Sequence, residues 1–286
     1  MIKSDVKLST VTTYKFGGVS KYFLNYDSNT PESVLENLKE YTDTIFFIGK
    51  GSNLAFSDKG YEGLIVKNEK KGVVRIDEST IEVFSGTYMP DIARFCADNN
   101  LSGAEFMIGI PGSIGGGVKM NAGSYGSSVS DLLKTLTTYN YTTSKFKKYS
   151  KDDLKFGYRS FSGINKEFIH TTVLELKPED SSIIRSKQKE YLKHRKETQP
   201  TAVYNAGSVF KNPEGLYAGR LIEEAGLKGY SVGGVEVSSK HANFFVAKKG
   251  ARSLDLYQLV KFVKEKVYEN SGTSLEEEIM FIGDFE

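Results

Sequence analysis

The segment with the clearest chemical signature covers residues 104–126 and reads AEFMIGIPGSIGGGVKMNAGSYG. It is rich in glycine and carries very little charge. Glycines at positions 115–117 have no Cβ to hold a ligand away from the main chain, and they make positive φ accessible. The segment is therefore predicted to lie against a flat or phosphorylated ligand. The alternative is a glycine-rich loop between two packed elements.

A second candidate is the hexapeptide Gly49-Lys50-Gly51-Ser52-Asn53-Leu54, which follows an apolar predicted strand. Its main-chain N–H groups and the side chains of Ser52 and Asn53 could surround a pyrophosphate. The hexapeptide lacks the closing GK[ST] of a P-loop and the spacing of the dinucleotide-binding fingerprint. A plain turn explains these residues equally well.

The composition limits the partners that such sites could serve. The chain has 286 residues, 39% hydrophobic and 26% charged, which is typical of a globular protein of roughly two domains. Its 38 Lys and Arg nearly balance its 36 Asp and Glu, for a formal charge of +2. No overall field therefore favours nucleic acid or a membrane surface, and the predicted partners are small molecules.

Cysteine usage and the apolar pattern indicate the compartment. The single cysteine, Cys96, shares one face of a predicted helix with Ile92 and Phe95, and Pro90 opens that helix, which favours a buried structural thiol. One cysteine can form neither an internal disulfide nor a cysteine-based zinc site, and no metal site is predicted. No stretch has the apolar length of a membrane span, and the N-terminus lacks the apolar core of a secretory signal. We expect a cytoplasmic protein without membrane insertion.

The elements that must position these residues follow from hydrophobic periodicity. A helix is predicted from Thr30-Pro31, and a polar helix from Ser182 to Glu197 ends before Gln199-Pro200, the predicted domain boundary. The other predicted elements are a strand at 45–51, hairpins at 74–86 and 133–150, a helix at 218–225 stopping at Gly226, a strand at 241–247, a helix from about Leu254 with Leu256, Val260, Val263 and Val267 inward, and a last strand at 279–285. This order indicates α+β with largely antiparallel sheets, not a doubly wound nucleotide fold.

Taken together, the two glycine segments resemble the FAD-binding module of the vanillyl-alcohol-oxidase type of flavoenzymes. In that module one loop holds the pyrophosphate and the second lies against the isoalloxazine ring. Three segments make the resemblance more specific: IGIPGSIGGGVKMNAGSYG, AGSVFKNP at 206–213 and LIEEAGLKG at 221–229. Together they resemble the MurB family of UDP-N-acetylenolpyruvoylglucosamine reductases. The likeness runs from TTYKFGG at 12–18 to FIGDF at 281–285.

The resemblance implies a two-part architecture. A two-subdomain FAD-binding module of the vanillyl-alcohol-oxidase/PCMH type is expected over residues 1–180, with subdomains of about 1–68 and 69–180. A C-terminal α+β substrate-binding domain is expected over 198–286, its last strand returning Glu278 to the active site. Ser208 follows Arg159 by only 49 positions, which matches the shorter class of the family that lacks a tyrosine-bearing loop.

The resemblance also implies an activity in peptidoglycan synthesis. UDP-N-acetylglucosamine enolpyruvate is reduced to UDP-N-acetylmuramate with NADPH as electron donor and FAD as carrier. Hydride passes from flavin N5 to C3 of the enolpyruvyl group, and a proton reaches C2. No histidine precedes His170, so a histidyl-flavin bond cannot form within the N-terminal module, and FAD is expected to be noncovalent. The protein is expected to be a monomer.

Three residues match the family's catalytic positions. Arg159 would hold the developing carboxylate and enolate charge, Ser208 would donate the proton, and Glu278 would polarise the enolate or orient its partners. Glu276 and Glu277 would then be left to solvent. The structural alternatives are a surface arginine on a strand, a turn serine, and a solvated strand entry formed by all three glutamates. Tyr158 and Asn212 match substrate-binding positions.

The expected cofactor contacts lie in the two glycine segments, and two positions depart from the family pattern. Met280 stands where an arginine is common, and Lys50 replaces a glycine, which requires an ordinary φ there and could place a charge near the diphosphate. Lys196, Lys211 and Lys228 are unranked candidates for the substrate diphosphate. The expected FAD-binding residues are Gly49, Lys50, Gly51, Ser52, Asn53, Leu54, Gly109, Ile110, Pro111, Gly112, Ser113, Gly115, Gly116, Asn121, Ala122 and Gly123.

The sequence features are also compatible with two other functions. One is another PCMH-type flavoprotein oxidase that uses molecular oxygen. The other is a noncatalytic nucleotide-sugar binding protein whose glycine loops only hold a diphosphate.

Overall fold

The structure is a computed structural model that describes residues 1–201 and 204–286. Its chain divides into two compact units. The first unit comprises residues 1–3, 23–50 and 63–195, and the second comprises 4–22, 51–62 and 196–286. The division falls between Lys50 and Gly51, inside the predicted pyrophosphate loop.

The helices and strands are numbered here in chain order. The strands are β1 (Lys3–Lys7), β2 (Val19–Tyr26), β3 (Ile45–Ile48), β4 (Leu54–Phe56), β5 (Tyr61–Asn68), β6 (Val73–Arg75), β7 (Thr80–Phe84), β8 (Leu101–Ser102), β9 (Gly123–Ser124), β10 (Ser127–Ser128), β11 (Leu133–Asn140), β12 (Lys145–Ser150), β13 (Lys155–Gly157), β14 (Ser160–Ser162), β15 (Glu167–Glu175), β16 (Lys177–Pro178), β17 (Ser231–Val232), β18 (Val235–Val237), β19 (Phe245–Ala247) and β20 (Met280–Ile282). The α-helices are α1 (Met89–Asp98), α2 (Ile114–Lys119), α3 (Val129–Leu132), α4 (Ser181–Thr198), α5 (Ala218–Glu224) and α6 (Ser253–Ser271), and the 3₁₀ segments are Leu8–Thr10, Glu32–Glu40, Glu105–Gly109 and Lys151–Asp153.

The first unit is built on a five-stranded antiparallel sheet in the order β12-β11-β15-β7-β6. The two hairpins predicted at 74–86 and 133–150 form its edges and are confirmed. Strand β15 is buried from Phe168 to Leu174, because both of its faces are covered. Ile169 packs in the hydrophobic core of the unit, while Phe168 stacks on Phe47 with ring centroids 5.0 Å apart.

Helix α1 agrees with the sequence prediction, whereas the helix predicted from Thr30-Pro31 differs from it in type. Cys96 is buried in α1, and burial raises the pKa of its thiol to about 12, which confirms a structural cysteine. The helix predicted from Thr30-Pro31 is a 3₁₀ helix, not an α-helix. Its two buried side chains, Leu35 and Leu38, are three residues apart, the spacing that a turn of three residues places on one side.

The second unit has its own core beneath α5, α6 and the antiparallel sheet β17-β18-β19. The predicted inward residues of α6 are all buried, and the helix ends at Gly272 with φ 67°. The strand predicted at 241–247 is shorter than expected and begins only at Phe245. Residues 241–244 form a turn instead, closed by the Phe244 N–H donating to the His241 carbonyl at 2.9 Å.

Strands β4 and β20 carry predicted site residues at their ends. They pair in parallel within the second unit, with Leu54 opposite Met280 and Phe56 opposite Ile282. Strand β3 also pairs in parallel with β5, in a sheet of order β1-β2-β5-β3. In residues 1–201 and 204–286, no helix is long and apolar enough to cross a bilayer, and no group of three His, Cys, Asp or Glu side chains could hold a metal ion.

Candidate functional site

The second-unit part of the predicted pyrophosphate loop is held by the N-terminal segment. Gly51 has φ 68°, and a Cβ there would overlap the carbonyl oxygen of Val11. The Thr13 N–H donates to the Gly51 carbonyl at 3.1 Å. Gly51 is therefore required by both its backbone conformation and its packing.

Beyond this anchor, the loop leaves main-chain donors available. For Gly51, Ser52 and Asn53, no N–H group donates to a protein acceptor within the described parts of the chain. Consecutive N–H groups of this kind form an anion-binding cradle. The Asn53 side chain, in contrast, donates from Nδ2 to the Glu278 carbonyl at 2.9 Å.

In the first unit, the three successive glycines belong to α2. None of Gly115, Gly116 and Gly117 has a positive φ, so the access of glycine to left-handed backbone is not used here. At two of these positions, close packing leaves no room for a side chain larger than that of glycine. A Cβ on Gly115 would lie 2.9 Å from Ser85 Cβ, and one on Gly117 would lie 2.8 Å from Met89 Sδ.

Gly116 differs from both of its neighbours. It is exposed, and a Cβ there would meet only Ser113 Oγ, at 3.7 Å. Its N–H donates to no acceptor among the described residues. The protein's own packing thus does not require glycine at this position, whereas a ligand lying flat on the helix would.

Substitution of these adjacent glycines separates packing from ligand binding. We expect Gly116→Ala to leave apoprotein stability unchanged or raise it by up to about 1 kcal/mol, and to weaken FAD binding by about tenfold because the methyl group would hold the ligand away. Gly115→Ala is the matched control and should lower apoprotein stability by about 1–3 kcal/mol through overlap with Ser85. Thermal unfolding of the apoproteins and fluorescence titration with FAD measure both effects. Unchanged FAD affinity in Gly116→Ala would contradict this role.

The two predicted cofactor segments approach each other within the first unit. A Cβ on Gly49 would overlap Ser113 Oγ, and Ser113 forms an antiparallel bridge with Tyr88. Lys50 Nζ lies 4.7 Å from the centre of the Tyr88 ring. Lys50 has an ordinary φ, as its side chain demands. The structure thus brings Gly49 and Lys50 to the start of α2.

We expect Lys50→Gln to weaken FAD binding severalfold at low salt, since an exposed charge contributes at most about 1 kcal/mol. The difference from the parent protein should shrink as salt is raised. Lys261→Gln is the matched control, because Lys261 Nζ lies 4.4 Å from the Tyr257 ring and is far along the chain from either glycine segment. FAD titrations at two salt concentrations test this. An equal loss in both variants would remove Lys50 from the site.

Arg159 lies at the turn between β13 and β14, not on a strand, and has φ 51°. Its Nη2 donates to the Gly123 carbonyl at 3.0 Å, and its Cζ lies 5.1 Å from the ring centre of Tyr158, which is exposed. Asn121 ties the same hairpin to the glycine segment, because its Nδ2 donates to the Gly157 carbonyl at 3.0 Å. The first unit therefore places Arg159 against the end of the segment predicted to bind FAD.

In the second unit, main-chain hydrogen bonds join three predicted site segments. The Glu278 N–H donates to the Val209 carbonyl at 2.8 Å, directly after Ser208, and the Met280 N–H donates to the Asn53 carbonyl at 3.0 Å. With the bond from Asn53 Nδ2 to Glu278, these contacts fix Asn53, Ser208 and Glu278 on neighbouring segments.

Asn243 supports Ser208 and was not singled out by the sequence reasoning. Its side chain is buried, accepts from the Phe210 N–H at 2.9 Å and donates to the Phe210 carbonyl at 2.8 Å. Its carbonyl accepts from the Val209 N–H at 2.9 Å. The side chain of Asn212 also forms a local hydrogen bond. Its Oδ1 accepts from the Ala218 N–H at 3.1 Å, at the start of α5.

The glutamates before Glu278 are not simply left to solvent. Glu276 pairs with Lys211, and Glu277 lies 2.8 Å from Lys264 of α6 and is about one-third exposed. Glu276 is mostly exposed, as predicted, whereas Glu277 is partly covered because α6 presents a cation beside the strand entry. Of the lysines considered for the substrate diphosphate, Lys211 and Lys228 are thus already paired, the latter with Glu223 at 2.6 Å.

Two protein-family models match separate parts of the chain. A family model described as an FAD binding domain matches residues 29–143, so the chain carries the domain of a flavoprotein. A second model, the C-terminal domain of UDP-N-acetylenolpyruvoylglucosamine reductase, matches residues 199–282.

Full-length relatives agree with these matches. The UDP-N-acetylenolpyruvoylglucosamine reductase of Caldicellulosiruptor saccharolyticus is 37% identical over 99% of this chain and 92% of that protein. That of Desulforamulus reducens is 39% identical over 96% of this chain and 91% of that protein. The crystal structure of MurB from Thermus caldophilus matches with a TM-score of 0.84 at 30% identity, covering 99% of this chain and all of that one.

The chain belongs to the UDP-N-acetylenolpyruvoylglucosamine reductase family. The predicted resemblance, the α+β fold class with its FAD-binding module and C-terminal domain, and the FAD cofactor are confirmed.

Proposed function

We propose that the protein reduces UDP-N-acetylglucosamine enolpyruvate to UDP-N-acetylmuramate for peptidoglycan synthesis in the cytoplasm, with NADPH as electron donor. Family membership along nearly the whole chain supports this proposal. The observation that carries it is the second-unit network in which the Glu278 N–H donates to the Val209 carbonyl and Asn53 Nδ2 donates to the Glu278 carbonyl. It fixes Ser208 and Glu278 beside a segment expected to hold FAD.

The residues present fit a noncovalent FAD. The free N–H groups of Gly51, Ser52 and Asn53 suit the diphosphate, and the open, exposed face at Gly116 suits a flat ring. The chemistry that FAD supplies when bound is hydride transfer between NADPH and C3 of the enolpyruvyl group. The family model for the FAD binding domain covers both segments.

Arg159 is proposed to hold the substrate carboxylate and the developing enolate oxygen. A guanidinium offers a fixed fork of donors that matches two oxygens. Its bond to the Gly123 carbonyl orients the group, and an oriented cation acts most strongly where charge develops in the transition state. Tyr158 and Asn212 are proposed to contact the substrate.

Ser208 is proposed to donate the proton to C2, and Glu278 to polarise the enolate or orient its partners. Ser208 follows Gly207, whose φ of 79° needs glycine. The bridge between Ser208 and Phe244 sets the course of the main chain here. A neutral hydroxyl tolerates a dry site better than a charged acid. Met280, in place of the common arginine, supplies no cation on this strand.

Two observations would separate this function from its rivals. Under argon, NADPH should bleach the yellow flavin, and the enolpyruvyl sugar nucleotide should restore the colour; oxygen should restore it much more slowly. An oxidase would be reoxidised fastest by air. A colourless, flavin-free preparation that binds UDP sugars would indicate the noncatalytic binding protein. Elution at the monomer volume in size-exclusion chromatography would support the proposed monomer.

A further inference from the structure

A loop of the second unit contacts the main chain beside Ser208. It covers residues 238–244, between β18 and β19. The Ser238 N–H donates to the Phe244 carbonyl at 2.8 Å, and the Phe244 N–H donates to the His241 carbonyl at 2.9 Å. Ser238 Oγ also accepts from the Lys240 N–H at 3.2 Å. These bonds close the loop on itself, and the bridge between Phe244 and Ser208 joins it to the proposed proton donor.

Asn243 links this loop to the residues after Ser208. Its main-chain carbonyl accepts from the Val209 N–H at 2.9 Å. Its side chain accepts from the Phe210 N–H at 2.9 Å and donates to the Phe210 carbonyl at 2.8 Å. The side chain is buried, so any of these polar groups that lost its partner would not regain a bond to water. The position of Asn243 therefore fixes the course of the main chain from Ser208 to Phe210.

The imidazole of His241 in turn holds Asn243. The Asn243 N–H donates to His241 Nδ1 at 3.2 Å. A ring nitrogen that accepts a hydrogen bond carries no proton, so the ring is neutral with its proton on Nε2. A protonated ring has N–H groups at both nitrogens, and the Asn243 N–H would then face a donor. This hydrogen bond therefore requires the neutral form of His241.

The surroundings of the ring favour the neutral form. A Cβ on Gly219 of α5 would lie 3.3 Å from His241 Cε1, and the centre of the Phe244 ring lies 4.8 Å from the centre of the imidazole. Burial lowers the pKa of His241, because a charged imidazolium would lose its water here. His241 thus stays neutral in more acidic solution than an ordinary histidine does.

The charged groups near the ring largely balance one another. Lys228 lowers the pKa of His241 and Glu223 raises it, and these two side chains pair with each other at 2.6 Å. Lys240, next to His241 in the chain, donates from Nζ to the Lys196 carbonyl. Protonation of the ring is therefore opposed mainly by its burial, and it would remove the hydrogen bond to Asn243.

We infer that His241 is a positioning residue for the proton transfer assigned to Ser208, because its unprotonated Nδ1 holds Asn243 and Asn243 holds the main chain that carries the serine. The inference rests on the proposed function, in which Ser208 is the proton donor. Displacement of a reacting group by about 1 Å can cost about 10²-fold in rate. The half-reaction that protonates C2 of the substrate should therefore depend on His241, whereas reduction of the flavin by NADPH should not.

Two substitutions of His241 separate the hydrogen bond from the charge. His241→Asn keeps an acceptor at the δ1 position but cannot be protonated, and His241→Ala removes the acceptor. At neutral pH, His241→Ala should slow reoxidation of the flavin by the enolpyruvyl sugar nucleotide about tenfold to a hundredfold and change reduction by NADPH by less than about twofold. His241→Asn should keep both rates within about threefold of the parent protein. Stopped-flow absorbance under argon measures the two half-reactions separately.

The pH profile distinguishes this role from a purely structural one. In the parent protein, reoxidation should slow below about pH 6.5, where the ring begins to gain a proton and releases Asn243. His241→Asn should lack this component of the profile, since its side chain does not titrate. His194→Asn, at the exposed histidine of α4, is the matched control and should keep the profile of the parent protein. Reoxidation rates from about pH 8 to about pH 5 provide the comparison.

Two results would overturn the inference. One is a His241→Ala protein in which reoxidation is unchanged or in which both half-reactions are slowed equally. The other is the same pH profile in His241→Asn as in the parent protein, a comparison that decides the matter even if His241→Ala does not fold. Failure of the unmodified protein to reoxidise its flavin with the enolpyruvyl sugar nucleotide would instead overturn the proposed function.

Discussion

Replacing Ser208 by alanine should leave reduction of the flavin by NADPH intact and slow its reoxidation by the enolpyruvyl sugar nucleotide by about 10²–10⁴-fold, the usual contribution of a positioned proton donor. The reason is that NADPH oxidation needs no proton at C2 of the sugar substrate, whereas product formation does. Stopped-flow absorbance of the two half-reactions, recorded separately under argon, measures both rates.

The matched control for Ser208→Ala is Ser231→Ala, at an exposed position of strand β17 in the same unit. It should leave both half-reactions unchanged. Equal slowing of both half-reactions in Ser208→Ala would show that the hydroxyl is structural, in keeping with its place between Gly207 and the buried Val209.

Substituting lysine for Arg159 should slow the second half-reaction by about 10²–10³-fold, comparable to removal of an oxyanion donor. Lysine keeps the charge, but a single ammonium cannot reproduce the bidentate fork or the bond from Nη2 to the Gly123 carbonyl. Reduction by NADPH should change little. The same stopped-flow measurement reports both rates, and titration with the substrate reports affinity.

Arg220→Lys serves as the control for charge-conserving change. Arg220 is exposed on α5 and lies 2.7 Å from Glu224, and its substitution should alter neither rate. A second half-reaction in Arg159→Lys that runs at the parent rate would remove Arg159 from the site.

Local sequence patterns predicted the secondary structure well where burial repeats regularly. The hairpins at 74–86 and 133–150, helix α4 and the buried face of α6 are confirmed. The pairing of β4 with β20 is different, since it joins residues about 226 positions apart in the chain, as Leu54 and Met280 show. No local pattern carries that information, because the pairing depends on how intervening elements pack.

At the candidate site, the sequence drew attention to the glycine segments but did not show why glycine occupies each position. The run of glycines in α2 makes positive φ accessible, but the structure shows a different reason for two of them: Ser85 and Met89 lie against Gly115 and Gly117 and leave no room for a Cβ. Such contacts are non-local and cannot be deduced from a run of glycines.

The proposed function requires that this chain use bound FAD to reduce the enolpyruvyl ether of a UDP sugar. The most direct measurement is a single turnover under argon, in which protein reduced by one equivalent of NADPH is mixed with UDP-N-acetylglucosamine enolpyruvate. We expect the flavin colour to return with one UDP-N-acetylmuramate formed per flavin, as identified by mass spectrometry. A flavin that stays bleached with this substrate and regains colour only when air is admitted would contradict the account.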